Sequence, residues 1–200
     1  VQVSSFVTGA YCGGSSLPDG ANAGAGHGIM ANAFYDPALG YDGPMDTSDT
    51  PRMTKAKDIY GRLQKAENLG EIMARSGKKY SVLTTGKVGN AKLLNVDAEA
   101  LGQPLFSIWG ADVSSSHANF DRIIERFGPV PEQTLPNTAV ADYATTVLLE
   151  HMIPDHDADV QVIWYNEPDL SYHYKGIGSP ESDIAVRGVD AGFGRILEWW

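Results

Sequence analysis

The stretch Val160–His173, VQVIWYNEPDLSYH, decides how this chain is read. Val160, Val162, Ile163, Trp164 and Tyr165 form a short run dominated by β-branched and aromatic residues. Such a run predicts a central strand, buried on both faces and flanked by a neighbour on each side. Pro168 has no N–H for a ladder, so the strand ends in Asn166-Glu167-Pro168. In open α/β sheets ligands sit at the carboxyl ends of the strands, where Asp169 and His173 emerge. One helical turn after Pro168 places this i, i+4 pair on one face. The pair then offers one oxygen and one nitrogen donor to a metal ion. On spacing alone, Asp169 as a helix cap and His173 as a surface residue is the favoured reading. Asp155, His156 and Asp157 precede the strand, at the edge of the sheet away from such a site, and are expected in a solvated loop.

Outward from this stretch the chain alternates helix and strand. Upstream, Asn137 is expected to cap a helix whose core face is Val140, Tyr143, Ala144, Val147 and Leu148. Before it, Phe120, Ile123, Ile124 and Phe127 mark a helix closed by Gly128, and Phe106–Trp109 and Tyr80–Thr84 read as strands. Leu69, Ile72 and Met73 form a helical stripe ending at Gly77. Downstream, Ser179 and Pro180 begin a helix whose buried stripe is expected to be Val186, Val189, Phe193, Ile196 and Leu197. Alternation of this kind predicts an α/β fold with a mostly parallel sheet covered by helices. Near the start, Val1–Thr8 reads as a helix end closed by Gly9, and residues 10–28 as a long Gly/Ser-rich loop. His27 with Gly28 is expected to shape a turn, and Lys87 and Lys92 to be solvated.

Two hundred residues suffice for one core, so the chain is expected to form a single, partial domain over 1–200. The 25 acidic against 15 basic residues, a net charge of −10, argue against a nucleic-acid duplex or an anionic membrane as partner. No apolar run is long enough to span a bilayer. Cys12 stands alone, which excludes an internal disulfide framework. Both ends read as interrupted elements, so the chain is expected to be an internal piece of a longer one.

Several segments carry a family resemblance. His27–Pro37 (HGIMANAFYDP) resembles the His-Gly-Ile-x-x-Asn-x-x-Tyr-Asp-Pro segment of nucleotide pyrophosphatases/phosphodiesterases. Glu167–His173 (EPDLSYH), with Val189-Asp190 downstream, is similar to that family's Glu-Pro-Asp-x-x-x-His … Val-Asp segment. Ser5–Gly9 (SFVTG) resembles its Ser-x-Val-Thr-Gly helix end, and Ser76–Asn95 its helix-to-strand region between the two. The resemblance implies the three-layer α/β/α fold of the alkaline phosphatase superfamily. It further implies two divalent metal ions, usually zinc, and a small phosphorylated substrate. Asp169 and His173 then correspond to two ligands of one metal, and Asn32 to an amide donor toward a phosphate oxygen. The threonine nucleophile and a first-strand aspartate are expected upstream of Val1, and the remaining ligands beyond Trp200. The Gly/Ser-rich insertion before His27 is longer than the family's usual connection. A periplasmic or extracellular location is favoured, and the piece alone is expected to be inactive. A sulfatase or phosphonate hydrolase of the same superfamily, or a silent metal-binding domain, are the rival readings, which the residue at the nucleophile position would separate.

Overall fold

The computed structural model describes residues 2–13, 26–40 and 43–200. Most of the Gly/Ser-rich loop expected at 10–28 therefore lies outside the described residues. The chain divides into two compact units, Val1–Tyr80 with Lys87–Gln103, and Ser81–Gly86 with Pro104–Trp200.

In the first unit, α1 (Gln2–Thr8) ends at Gly9, whose φ of 63° is the left-handed stop expected there. The strands β1 (Ala33–Phe34) and β2 (Met45–Asp46) pair antiparallel, Ala33 opposite Asp46 and Phe34 opposite Met45. Helix α2 (Thr50–Tyr60) follows, capped by the Asp49 carboxylate, which accepts from the Arg52 N–H. It buries only Met53 and Ala56, so apolar periodicity gives no sign of it. The Asp49 cap and Pro51 in the first turn are the local signals that mark it. Helix α3 (Leu69–Arg75) begins with a reciprocal capping box between Asn68 and Glu71. The core joins Val3 and Val7 of α1 to Ile29, Leu39, Met45, Met53 and, from the later helix α4, Leu93 and Leu94.

Strand β3 (Tyr80–Thr84) is buried at all five positions, and α4 (Val88–Leu94) returns to the first unit. The second unit then adds β4 (Leu105–Ser107), α5 (His117–Phe127), α6 (Thr138–Val147), a π-helical turn at Leu148–Met152, α7 (Ile153–His156), β5 (Val160–Trp164), α8 (Asp169–Lys175) and α9 (Pro180–Trp199). The sheet runs β4-β3-β5, with β3 and β4 parallel and Leu83 opposite Phe106. Leu83, Phe106, Ile123, Val140, Ala144, Val147 and Met152 close into one apolar core. The predicted α/β class holds.

Two expectations are corrected. The strand at Val160 is not central: β3 occupies the middle, and β5 lies at an edge of the described sheet with all five residues half-buried. An apolar run records what a strand can bury, whereas its neighbours decide how much it does bury. Ile163 and Tyr165 do pack against the core. Helix α9 is turned from the predicted face. Ser182, Ala185 and Gly192 are its buried positions. Of the predicted stripe, Val189 and Ile196 are half-buried, Ile196 packing against the core, while Val186, Phe193 and Leu197 are 42%, 54% and 50% exposed. The cause is close approach to α6. A Cβ on Gly188 would stand 2.6 Å from Thr138 Cγ2, and one on Gly192 2.8 Å from Thr145 Oγ1. Side chains larger than these cannot enter that seam.

Candidate functional site

The turn from His27 to Asn32 in the first unit is built around a buried imidazole. His27 is fully buried; its Nδ1 accepts from the Ile29 N–H at 3.1 Å, and its Nε2 lies 3.0 Å from Ser5 Oγ. An acceptor at Nδ1 requires the proton on Nε2, so the neutral ring donates to the serine oxygen. Burial lowers the imidazole pKa from 6.5 and holds it in this form. The turn expected of His27 is thus formed by its own side chain. Its backbone is tied as well: His27 N–H donates to Tyr11 O at 3.0 Å, and Lys65 N–H donates to His27 O at 3.0 Å.

Asn32 follows at the exit of this turn and is exposed. Its carbonyl accepts from both Thr47 N–H at 2.8 Å and Thr47 Oγ1–H at 3.0 Å. Its side-chain amide makes no hydrogen bond to any of the described residues, so the residue is gripped by its backbone and presents a free donor. Thr47 is itself held by α4, where a Cβ on Gly89 would stand 1.9 Å from Thr47 O. No larger residue fits there without moving the threonine. A cavity of about 480 Å³ adjoins the turn, with Ile29, Met30, Phe34, Tyr35, Tyr60 and Lys65 among its walls.

In the second unit, Asp169 and His173 lie on the first turns of α8, as the spacing predicted. Asp169 Oδ1 is 3.5 Å from His173 Nε2, and the two side chains are 75% and 74% exposed. Donors to a tetrahedral zinc, each about 2.0–2.1 Å from the ion, stand roughly 3.3–3.4 Å from one another. The pair therefore already has the spacing of two ligands of one ion. Among the described residues no third His, Cys, Asp or Glu joins them.

What holds this end of the strand is Glu167, a residue whose role the sequence pattern did not disclose. Its buried carboxylate accepts from Asn137 N–H at 2.7 Å, Ser171 N–H at 3.0 Å and Ser171 Oγ–H at 3.1 Å. It therefore clamps the first turn of α8 to the start of α6. The cap expected of Asn137 is not made there: its side chain makes no capping bond and instead accepts from Thr134 N–H. Thr85 makes a second tie, donating its N–H to Trp164 O at 2.9 Å and accepting from Asn166 N–H at 2.8 Å. That joins the carboxyl ends of β3 and β5. The Glu167–Ser171 bonds are local, four residues apart, but nothing local announces the ties from Glu167 to Asn137 and from Thr85 to Asn166, whose partners lie 30 and 81 residues apart.

The cluster expected as a solvated loop is different. Asp155 and His156 belong to α7, and fully buried His151 places Nδ1 2.8 Å from Asp155 Oδ2, at ion-pair distance but without hydrogen-bond alignment. Its Nε2 lies 3.1 Å from Asn119 Oδ1 of α5. Burial, its largest cause, lowers the pKa of both His151 and His156. The cluster precedes β5, as expected, and the described residues form no three-ligand group there.

The family described as type I phosphodiesterase / nucleotide pyrophosphatase matches residues 2–200. This chain belongs to that family. The segments that carry the resemblance, those around Asn32 and Asp169 among them, thus fall inside one family match spanning almost every residue. No curated protein matches the sequence. Among solved structures, the chain is similar to phosphonoacetate hydrolase from Sinorhizobium meliloti 1021 in complex with phosphonoformate, with a TM-score of 0.55 and 16% identity. That likeness covers 86% of this chain and 38% of the hydrolase chain. At this identity it speaks for the fold, and it agrees with the alkaline-phosphatase-like α/β architecture expected for the family. The chain thus spans well under half the length of the solved structure it matches.

Proposed function

We propose that this chain is part of a metal-dependent hydrolase of phosphate esters, to which it contributes a phosphate donor and half a metal site. The observation that carries the reading is the Asp169–His173 pair, a carboxylate and an imidazole 3.5 Å apart and open to solvent, within a phosphodiesterase family match. Asp169 Oδ1 and His173 Nε2 would hold one of two divalent ions, zinc being the best suited to this donor set. Bound there, such an ion supplies charge neutralisation to the phosphoryl group and lowers the pKa of the attacking hydroxyl. Asn32 directs its amide N–H at a non-bridging phosphate oxygen, where charge develops during transfer. The apolar and aromatic walls of the neighbouring cavity suit the organic part of such an ester. The nucleophile in this reading is a threonine preceding Val1 in the longer protein, and the missing ligands come from outside these 200 residues.

The reading is tested by assaying the 200-residue chain and a chain extended in both directions on p-nitrophenyl phosphodiester, phosphomonoester, sulfate ester and phosphonoacetate substrates with added zinc. The extended chain is expected to turn over the phosphodiester in a metal-dependent way, and the short chain to bind zinc weakly and hydrolyse nothing. Robust turnover by the short chain would place the catalytic residues elsewhere. Preference for the sulfate ester or for phosphonoacetate would assign the site to those rival chemistries. Zinc binding by the extended chain without turnover of any substrate would leave a silent metal-binding domain.

A further inference from the structure

We propose that His27 is a positioning residue that, as the Nε2–H tautomer, locks helix α1 to the turn carrying Asn32. The inference rests on the functional reading above for its consequence, and on this chain's own hydrogen bonds for its mechanism. His27 has no exposure, so its ring can contact neither substrate nor bulk solvent. Both ring nitrogens are nonetheless committed, Nδ1 to the Ile29 N–H and Nε2 to Ser5 Oγ, 22 residues away on α1. The first bond shapes the turn, and the second fastens that turn to the helix.

Further hydrogen bonds tie the same turn and the same helix to their surroundings. The His27 N–H and the Gly28 N–H donate to Tyr11 O and Cys12 O, at 3.0 and 2.8 Å, which secures the turn to the segment leaving α1. Lys65 N–H donates to His27 O, which secures it to the connection after α2. Buried Gln64, the preceding residue, donates from Nε2 to Ser4 Oγ at 3.0 Å and to Leu93 O at 2.9 Å. Ser4 and Ser5 of α1 are thus gripped from two sides, and the imidazole is the only one of these links that connects α1 side chain to the Asn32 turn among the described residues.

The bonding pattern also sets which residues can replace it. Asparagine can place an acceptor near Nδ1 but cannot reach Ser5, so His27→Asn should keep the turn and lose the lock. Ser5→Ala loses the lock alone, and Ser5→Thr retains a hydroxyl acceptor. A residue that merely filled space would be indifferent to these distinctions. A misplacement of about 1 Å at a catalytic group costs roughly 100-fold in rate, so a lock of this kind acts on kcat more than on substrate affinity.

Two measurements on the 200-residue chain test the lock itself. Long-range ¹H–¹⁵N correlation spectra should show Nε2 protonated and Nδ1 bare at pH 7.5. Hydrogen exchange at the Ile29 and Thr47 amides should accelerate at least tenfold in Ser5→Ala and recover in Ser5→Thr. A Nδ1–H tautomer, or unchanged exchange in Ser5→Ala, overturns the proposal. In the extended chain, Ser5→Ala and His27→Asn should each lower phosphodiester kcat roughly 10- to 100-fold with KM little changed. The double variant should be no worse than the more damaging single one, and Ser5→Thr should restore turnover. Additive losses, or unchanged kcat in Ser5→Ala with a lowered melting temperature, would make His27 a structural residue only. Absence of turnover in the unmutated extended chain counts against the functional reading, while the spectra and exchange rates still decide the lock.

Discussion

The two candidate site regions are built on opposite plans. Around Asn32 the working group is one exposed amide, and the support is long-range: a buried imidazole, a threonine clamp 15 residues on and a backbone tie to Lys65. Around Asp169 and His173 the candidate pair is set by helix geometry within a single turn, and the buried support is the Glu167 carboxylate together with the Thr85 tie. A local pair needs only the helix to form. An isolated donor on a turn needs every contact that fixes the turn. The contrast predicts that the α8 pair tolerates changes in its surroundings, whereas the Asn32 turn fails when distant residues are altered.

The largest expected effects break the chemistry without breaking the fold. In the extended chain, Asp169→Ala and His173→Ala should abolish most turnover and weaken zinc binding, measured by calorimetric titration. Both side chains are about three-quarters exposed, so the unfolding free energy should change by no more than about 0.5 kcal/mol. Asn32→Ala should lower kcat roughly 10²- to 10³-fold, the cost of removing one preorganised donor. Its melting temperature should match that of the unmutated chain, because its scaffold bonds come from the backbone carbonyl.

Next come substitutions that remove the supports. Glu167→Ala strands the Asn137 and Ser171 N–H groups, and should destabilise the second unit by about 3 kcal/mol in denaturant titration. Gly89→Ala drives a methyl into Thr47 O and should cost about 1–3 kcal/mol, with kcat falling alongside because Thr47 grips Asn32. If Gly89→Ala lost stability with kcat intact, Asn32 would not depend on that clamp, and the contrast between the two regions would weaken.

A smaller effect is a dependence on pH. His27, His151 and His156 all have folded pKa values below 6.5, chiefly through burial. The unfolded chain then binds more protons than the folded one just below pH 6.5. Stability is therefore complete above that pH and is lost as pH falls through 6.5 toward the folded values. The Arg122 and Arg126 charges reinforce the shift at His151, while Asp155 opposes it. Melting temperatures between pH 8 and pH 5 should decline on the acid side, and His27→Asn should remove part of the decline. The smallest effect is expected on the outer face of α9. Phe193→Ser should change stability by no more than about 0.5 kcal/mol, whereas Gly192→Ala, one residue away, should cost about 1–3 kcal/mol.

Helix α9 shows why part of this fold was legible in the sequence and part was not. Its start is written locally, in Ser179, whose side chain accepts from the Ser182 N–H, and in Pro180. Its rotation about its own axis is not, because the residue that fits against α6 depends on Thr138 and Thr145, 47 or more positions away. Counting apolar residues chose Val186, Val189, Phe193, Ile196 and Leu197, of which only Val189 and Ile196 are even half-buried; steric fit chose Ser182, Ala185 and Gly192. Strand β5 makes the same point, since its composition marks a strand and its neighbours alone set its place in the sheet. Helix α2, with two buried residues in eleven, lay below the reach of periodicity although its cap was in plain view.

What the sequence by itself determined, then, was whatever depends on neighbours within about one turn of chain. This includes the cap at Ser179, the i, i+4 placing of Asp169 and His173, the glycine stops after α1 and α3, and the motif order that marks the family. Only the tertiary structure decided which strand is central, which face of α9 is buried, and which tautomer His27 adopts. It alone showed that Glu167, Thr47, Thr85 and Gly89 hold the segments carrying the candidate site residues in place. Apart from the Glu167–Ser171 bonds, these are contacts between groups far apart in sequence, where the fit of volumes and the pairing of buried donors with acceptors outweigh any local preference.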